Sequence, residues 1–371
     1  MEATDGDRRR RTGARLPGID GLRAVSILLV IGAHAQMTTT PAAALAPWLP
    51  FIGNSFVGVN TFFVISGFLI TRLLRREHEA TGRISLRAFY LRRVTRIFPA
   101  FYAYLGGLAL LAAALGIAIR APDYAFAAGF LKNYQGLFDT GSDAGYWFTG
   151  HFWTLSLEEQ FYLLWPATVV VLGFRRAPFI ALGIVAASPF LRIASYLLWP
   201  SSRPLLNMML HTAGDALMIG CAAALLHDHP RVVAWRQRMS SARWPALFAA
   251  WGLVASPLLQ GALGGAYRAT AGPALDGCAA LFVMLWLMEH PRSAAGRALD
   301  WPAVRYVGVL SYSLYLWQQF FLTTLNPLSA ARFPFNLAAT FLAAMLSYHL
   351  VEQPVLRWRA RAAARTPAPV A

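Results

Sequence analysis

The chain has 371 residues, 57% of them hydrophobic and only 13% charged, with a mean hydropathy of +0.46. Water-soluble domains of this size rarely reach that composition, which excludes a soluble single-domain enzyme. A net charge of +16 would suit nucleic acid only as a basic face on a folded domain, and here the arginines sit between apolar runs, so nucleic acid is excluded as a partner.

Ten apolar stretches are long enough to cross roughly 30 Å of hydrocarbon. They lie near 19–37, 56–74, 97–119, 152–173, 177–199, 207–226, 244–260, 273–289, 306–325 and 335–356. The predicted fold is therefore all-α, a polytopic integral membrane bundle of about ten transmembrane helices in a cell (inner or plasma) membrane. Placing the N-terminus in the cytoplasm puts 26 of the 33 Lys and Arg on cytoplasmic segments and five on the opposite side, with Arg23 and Arg192 inside spans. That asymmetry predicts an N-in, C-in orientation.

Residues 1–16 read as a basic cytoplasmic tail and 17–357 as a single transmembrane domain. Residues 358–371 read as a disordered cytoplasmic tail whose arginines meet anionic membrane lipid. Arg8–Arg11 and an apolar stretch ending Ala33-His34-Ala35 mimic a secretory signal, but Asp20 and Arg23 interrupt its start, so the segment reads as a retained first helix. The two cysteines, Cys221 and Cys278, lie inside predicted spans and support neither a disulfide framework nor a metal site.

Charged groups inside a bilayer are costly and usually face a cavity or each other. On the first helix Arg23 and His34 are eleven residues apart, a rise of roughly 16 Å with nearly the same facing. They are either a polar pair that packs helices or a functional pair, and His is the side chain best suited to act as a base near neutral pH. Eight arginines crowd the loop from Arg72 to Arg96, where Arg93 and Arg96, one turn apart, can converge on a phosphate-bearing cytosolic ligand. The 120–150 segment is the longest outer stretch, with an interfacial or re-entrant piece around 126–134 that would cap a cavity beneath it. The fourth span opens at His151 and carries adjacent carboxylates, Glu158 and Glu159, of which at most one can share a narrow site with His34. Asp215 with His211, and Glu352, are further buried ionisable candidates.

Five ordered blocks then carry a resemblance. Pro17-Gly18-Ile19-Asp20-Gly21-Leu22-Arg23 through His34, with its Arg, ten residues, His pattern, is similar to the opening of the acyltransferase family 3 membrane proteins. Gly58-Val-Asn60-Thr-Phe62-Phe63-Val-Ile-Ser66-Gly67, Arg93-x-x-Arg96-Ile-x-Pro99, Trp153-Thr-Leu-Ser156-Leu-Glu158-Glu159-Gln160, and Ser311-Tyr-Ser313-Leu-Tyr315-Leu-Trp317 with Glu352-Gln-Pro354 follow in the family's order. The resemblance implies an O-acyltransferase, most often an O-acetyltransferase, moving an acyl group from acyl-CoA (acetyl-CoA) to a hydroxyl of an envelope glycan, a glycolipid or a glycosylated small molecule. Family members act on lipopolysaccharide O-antigen, peptidoglycan and exopolysaccharide.

Carried over residue by residue, the resemblance implies His34 as catalytic histidine with Arg23 as its partner, and Glu158 as the carboxylate that tunes it. Arg92, Arg93 and Arg96 are then expected to hold the donor, and Asn60, Ser66, Tyr315 and Asp215 to line the substrate site, with no metal required. Three departures stand out: Gln318-Gln319 where many members have a second His, Asn60 where Asp is usual, and no Arg two residues before Asp215. Without a hydrolase-like domain in this chain, transfer would finish in its own cavity or pass to a separate periplasmic acyl-accepting partner. A polytopic transporter or flippase of acyl groups or glycolipids is the alternative, but no inverted repeat or nucleotide-binding motif is visible. His227-Asp228-His229 has no third ligand at metal-site spacing and reads as a solvated loop.

Overall fold

A computed structural model of the protein describes residues 16–38, 51, 53–138 and 140–365. Arg8–Arg11, Arg15 and residues 366–371, read as parts of basic and disordered tails, lie outside the described residues. Each of the ten apolar stretches carries helix, and no strand occurs among the described residues.

The helices are α1 (Ile19–Ala35), α2 (Ser55–Thr81), α3 (Leu86–Leu115), the short α4 (Ala121–Ala128) and α5 (Asp143–Gly150), α6 (Trp153–Leu172) and α7 (Ala177–Leu198). There follow α8 (Asp215–Leu226), α9 (Pro230–Arg238), α10 (Arg243–Leu263, with a π turn at Trp251–Ala255), α11 (Gly272–Glu289) and α12 (Pro302–Phe321). A last helix runs as α13 (Phe335–Leu346), a π turn over Ser347–Glu352, and α14 (Gln353–Arg365). Five of these, α2, α3, α7, α10 and α11, are long and apolar enough on their own to cross a membrane. The other stretches fall short for a physical reason: α1 and α8 have 17 and 12 residues, the last helix turns polar at Tyr348, His349 and Glu352, and α6 and α12 carry hydroxyls and amides along their length, α6 with two carboxylates besides. Large apolar side chains such as Val171, Phe179 and Leu198 lie on the outer surface, as an apolar solvent allows.

Two boundaries differ from the hydropathy reading. The arginine-rich stretch from Arg72 to Arg96 is not a loop: α2 runs on to Thr81 and α3 begins at Leu86, capped by the Ser85 hydroxyl, which accepts from the Ala88 amide at 3.3 Å. Hydropathy sees only the apolar part of a helix, whereas the backbone continues helical into its charged end. For the same reason residues 358–365, expected to be disordered, are helical as the end of α14.

The bundle is drawn together where backbones touch. A Cβ on Gly67 of α2 would meet the Leu217 carbonyl oxygen of α8 at 2.0 Å, and one on Gly220 of α8 would meet the Val64 oxygen at 2.1 Å. This is the small-residue crossing that membrane helices use in place of a hydrophobic drive. Gly308 of α12 lies as close to α1, so that a Cβ there would fall 1.8 Å from the Asp20 oxygen. Trp165 Nε1 donates to Thr71 Oγ1 at 2.8 Å and ties α6 to α2. Around these contacts Phe68, Phe89, Phe101, Tyr104, Phe152 and Phe161 are fully buried.

Gly67→Ala is expected to destabilise the bundle by about 1–3 kcal/mol or more, because a backbone rather than a movable side chain must give way. Gly106→Ala, with nothing within 4 Å of the new methyl, is the matched control. Thermal unfolding in detergent checks the pair, and equal melting temperatures would refute the close-packing account.

Candidate active site

Two cavities meet inside the bundle. The larger, of about 530 Å3, is lined by His34, Asn60, Lys132, His151, Asp215 and Gln319 among others; the smaller, of about 360 Å3, by Arg23, Ser66, Arg93, Arg96, Glu158 and Ser311 among others. Val59, Phe63 and Tyr315 line both and form the partition between them. One helix, α1, serves each cavity, since the eleven-residue spacing carries Arg23 and His34 along the same face past that partition.

In the histidine cavity both ring nitrogens of His34 are held by α12. Nδ1 lies 3.1 Å from Gln318 Oε1 and therefore carries the proton; Nε2 keeps its lone pair and faces the Gln319 amide nitrogen at 3.3 Å. Trp147 meets the imidazole edge-on at 6.0 Å, and its indole N–H donates to the Gln319 backbone oxygen at 3.1 Å. Buried atoms lining this cavity without a hydrogen-bond partner among the described residues include the donor Asn60 Nδ2 and the acceptors Gln319 Oε1 and His151 Nδ1. A ligand rich in hydroxyls, each both donor and acceptor, would satisfy all three.

The 120–150 segment caps this cavity with short helices. Its centre is Asp123, fully buried, which accepts from Lys132 Nζ at 3.0 Å, Gln135 Nε2 at 2.9 Å, and the backbone and hydroxyl of Ser142 at 3.0 and 2.8 Å. Burial alone would push this carboxyl up; the hydrogen bonds from Ser142, Gln135 and Lys132 outweigh it and hold the group below its ordinary value.

The arginine cavity has the opposite character. Arg93 sits over the rings of Phe89 and Tyr162 at 5.6 and 5.3 Å, with Arg96 one turn on and Arg23 opposite, 4.0 Å from Asp20. Glu158 accepts from the Ser66 hydroxyl at 2.5 Å. Arg93 Nε and Ser311 Oγ, both buried, have no hydrogen-bond partner among the described residues. A cation stacked on two aromatic rings, with two further arginines beside it, has the chemistry to receive an anion.

Nine of the ten residues expected from the sequence line one cavity or the other, and Arg92 does not. It turns away from Arg93 on α3 and pairs with Glu77 at 2.9 Å. Glu158 is placed differently from its expected role: it lies with Ser66 in the arginine cavity, on the other side of the partition from the His34 imidazole. Asp215 lines the histidine cavity but is already paired, at 2.9 Å, with a fully buried Arg192, whose guanidinium also donates to the Thr212 and Thr270 carbonyls. The arginine missing two residues before Asp215 is thus supplied by α7.

The sequence pattern that defines the acyltransferase domain family matches residues 16–351. The chain belongs to acyltransferase family 3. It is similar to the peptidoglycan O-acetyltransferase OatA of Listeria monocytogenes, 28% identical over 92% of this chain and 56% of the relative. A provisionally named peptidoglycan O-acetyltransferase of Bacillus subtilis is 28% identical over 92% of this chain and 55% of that protein, and a provisionally named O-acetyltransferase of Staphylococcus aureus strain COL 27% over 97% and 61%. The chain therefore spans a little over half the length of the relatives it matches. No solved structure matches it.

Within this acyltransferase domain, Gln318 was visible in the sequence only as the loss of an imidazole, and its pairing with His34 across 284 positions was not. His151 had its signal at the entrance of α6 but no indication of a partner. His227 and Asp228 are engaged with each other at 2.9 Å and Asp228 with Arg75 at 2.6 Å; among the described residues no group of three or more His, Cys, Asp or Glu could hold a metal ion.

Asp215→Ala should cost about 3–5 kcal/mol by leaving Arg192 uncompensated, and Arg192→Met combined with Asp215→Leu should recover part of it. A melting temperature unchanged by Asp215→Ala would show the carboxylate to be dispensable for folding. Because Asp123 is held below its ordinary value, the stability it lends is present above the carboxylate range and lost as pH falls through the lowered value. Asp123→Asn should therefore loosen residues 121–150 at neutral pH as acid does in the wild type. Hydrogen exchange corrected for intrinsic rates tests this, and native protection in the variant would refute it.

Proposed function

We propose that the chain is an integral membrane O-acetyltransferase that takes an acetyl group from acetyl-CoA in the arginine cavity and delivers it to a hydroxyl of an envelope glycan in the histidine cavity. The observation that carries this reading is the meeting of an anion-suited and a hydroxyl-suited cavity at one partition, with Arg23 and His34 on one helix serving both. Ten spans with both termini in the cytoplasm, as the arginine asymmetry favours, would put the arginine cavity on the cytosolic side with the coenzyme and the capped cavity on the outer side with the glycan. The names of the relatives support peptidoglycan as the glycan class; lipopolysaccharide, an exopolysaccharide or a glycolipid has the same chemistry, as does the serine of a separate acyl-accepting partner.

Arg93 and Arg96, with Arg23, would pair with coenzyme phosphates, Arg93 held rigid by its two rings. The thioester end reaches past Tyr315. There the acceptor oxygen attacks the acyl carbon, its proton passes to His34 Nε2, the C–S bond breaks and the coenzyme thiolate leaves, finally taking the proton back from His34. Gln318 fixes Nε2 as the basic atom and accepts a hydrogen bond from the imidazolium as it forms. Gln319 must first yield its place on Nε2 to the incoming hydroxyl.

Full-length protein in nanodiscs, given radiolabelled acetyl-CoA and an envelope glycan extract, tests the reading. His34→Ala is expected to lower transfer by about 10²- to 10⁴-fold with coenzyme A affinity intact, the range for a positioned acid-base group. Arg93→Ala with Arg96→Ala is expected to weaken coenzyme A binding instead. Wild-type transfer by His34→Ala would refute its role as base, and failure of the wild type to bind coenzyme A would favour a transporter.

A further inference from the structure

We infer that His151 is a second substrate-facing imidazole, whose Nδ1 takes a hydrogen bond from a hydroxyl of the acceptor sugar while His34 takes the proton of the reacting one. The inference rests on the transfer reading above and adds a residue to its acceptor side.

His151 stands at the entrance of α6, 4% exposed, on the wall of the same cavity as His34. Its tautomer is fixed by the backbone: Nε2 lies 3.2 Å from the Leu316 carbonyl oxygen, which can only accept, so Nε2 carries the proton and Nδ1 the lone pair. That lone pair has no hydrogen-bond partner among the described residues. Ring and backbone are both braced. Tyr104 meets it edge-on at 5.7 Å, Phe152 packs at 4.1 Å, and the Tyr315 hydroxyl, itself accepting from Thr154 Oγ1 at 2.5 Å, donates to the His151 carbonyl oxygen.

A buried acceptor without a donor costs free energy that a ligand hydroxyl would return. The Leu316 bond and the ring contacts do not engage Nδ1, and the neighbouring Gln319 side chain makes no hydrogen bond of normal geometry to it, so the lone pair stays open to a better donor. The Gln319 side chain lies between the two imidazoles, bonded to His34 Nε2 and close enough to His151 to interact with it. Its own Oε1 is buried and unpartnered on the same wall. His151 Nδ1, Gln319 Oε1 and Asn60 Nδ2 thus make an acceptor, acceptor, donor set matched to a polyhydroxyl ring rather than to a single alcohol.

Two variants separate this role from packing. His151→Gln keeps a donor for the Leu316 oxygen and removes the Nδ1 acceptor; His151→Asn keeps an oxygen at the Nδ1 position and gives up the Leu316 bond. The probe is chitopentaose, added to full-length protein in nanodiscs, with binding read by tryptophan fluorescence and acetyl transfer from acetyl-CoA read by label. His151→Gln is expected to raise the Kd and KM for chitopentaose about 5- to 100-fold, the loss of one buried hydrogen bond, while coenzyme A affinity and melting temperature stay at wild-type values. His151→Asn is expected to bind the sugar more tightly than His151→Gln. Wild-type sugar affinity in His151→Gln, equal loss of stability and of both affinities in the two variants, or no sugar binding by the wild type would each overturn the inference. His34→Ala in the same assay reports on the transfer reading separately: full activity there would overturn that reading whatever His151 does.

Discussion

A polar group carried into a bilayer has to be solvated by the protein itself, because hydrocarbon offers it no partner. Most of the architecture follows from that constraint. Arg192 and Asp215 neutralise each other, Asp276 accepts from the Trp251 indole, the Ser256 hydroxyl and the Tyr267 hydroxyl, and Glu352 is bonded by Ser313. The backbone contacts at Gly67, Gly220 and Gly308 hold the helices close enough for such short side chains to meet. What the bundle leaves unsatisfied is therefore informative. Among the buried polar atoms without a partner, Asn60 Nδ2, His151 Nδ1 and Gln319 Oε1 on one side of Tyr315, and Arg93 Nε and Ser311 Oγ on the other, line the cavities, where a substrate would complete their hydrogen bonding.

The same constraint explains how the work is divided among the helices. Of the five spans that satisfy length and hydropathy unaided, α7 and α10 lie largely on the exterior while α2 is mostly buried; α1, α6 and α12, which do not satisfy them, carry His34, Glu158 and Gln318. A helix can afford a row of polar side chains only where its neighbours shield it, and α1 lies against both α2 and α12. His34, Arg23 and Glu158 sit in such segments, whereas Asn60, Ser66, Arg93 and Arg96 are presented to the cavities by α2 and α3, which are long and apolar enough to span.

Much of this was legible in the sequence. The apolar stretches located each of the five helices long and apolar enough to cross a membrane, the family motifs pointed to nine residues that line the two cavities, and the eleven-residue step from Arg23 to His34 predicted one face serving two depths. Three things were not legible, each for a physical reason. Arg92 and Arg93 are equivalent in composition, and only the 100° turn between them on α3 sends one to Glu77 and the other to the cavity. Glu158 could be matched to a motif but not to a neighbour, and its neighbour is Ser66 of α2. Gln318 and Gln319 read as the absence of a histidine because their meaning depends on a partner near the other end of the chain.

That last pair changes how the site works. A carboxylate beside His34 Nδ1 would bring a second charge into the apolar interior and would have to be solvated in turn. An amide oxygen fixes the tautomer at no such cost, and an adjacent amide N–H occupies the free lone pair until a better donor arrives. The imidazole is then covered on both nitrogens, so water entering beneath the 120–150 cap would meet a ring already engaged. A hydroxyl held by the opposite wall of the cavity arrives with its orientation set and can displace the Gln319 amide. If His34 is the base and a glycan the acceptor, as proposed, the glutamines would protect that base between turnovers, and selectivity for a glycan over water would reside in the groups that hold the sugar before Gln319 moves.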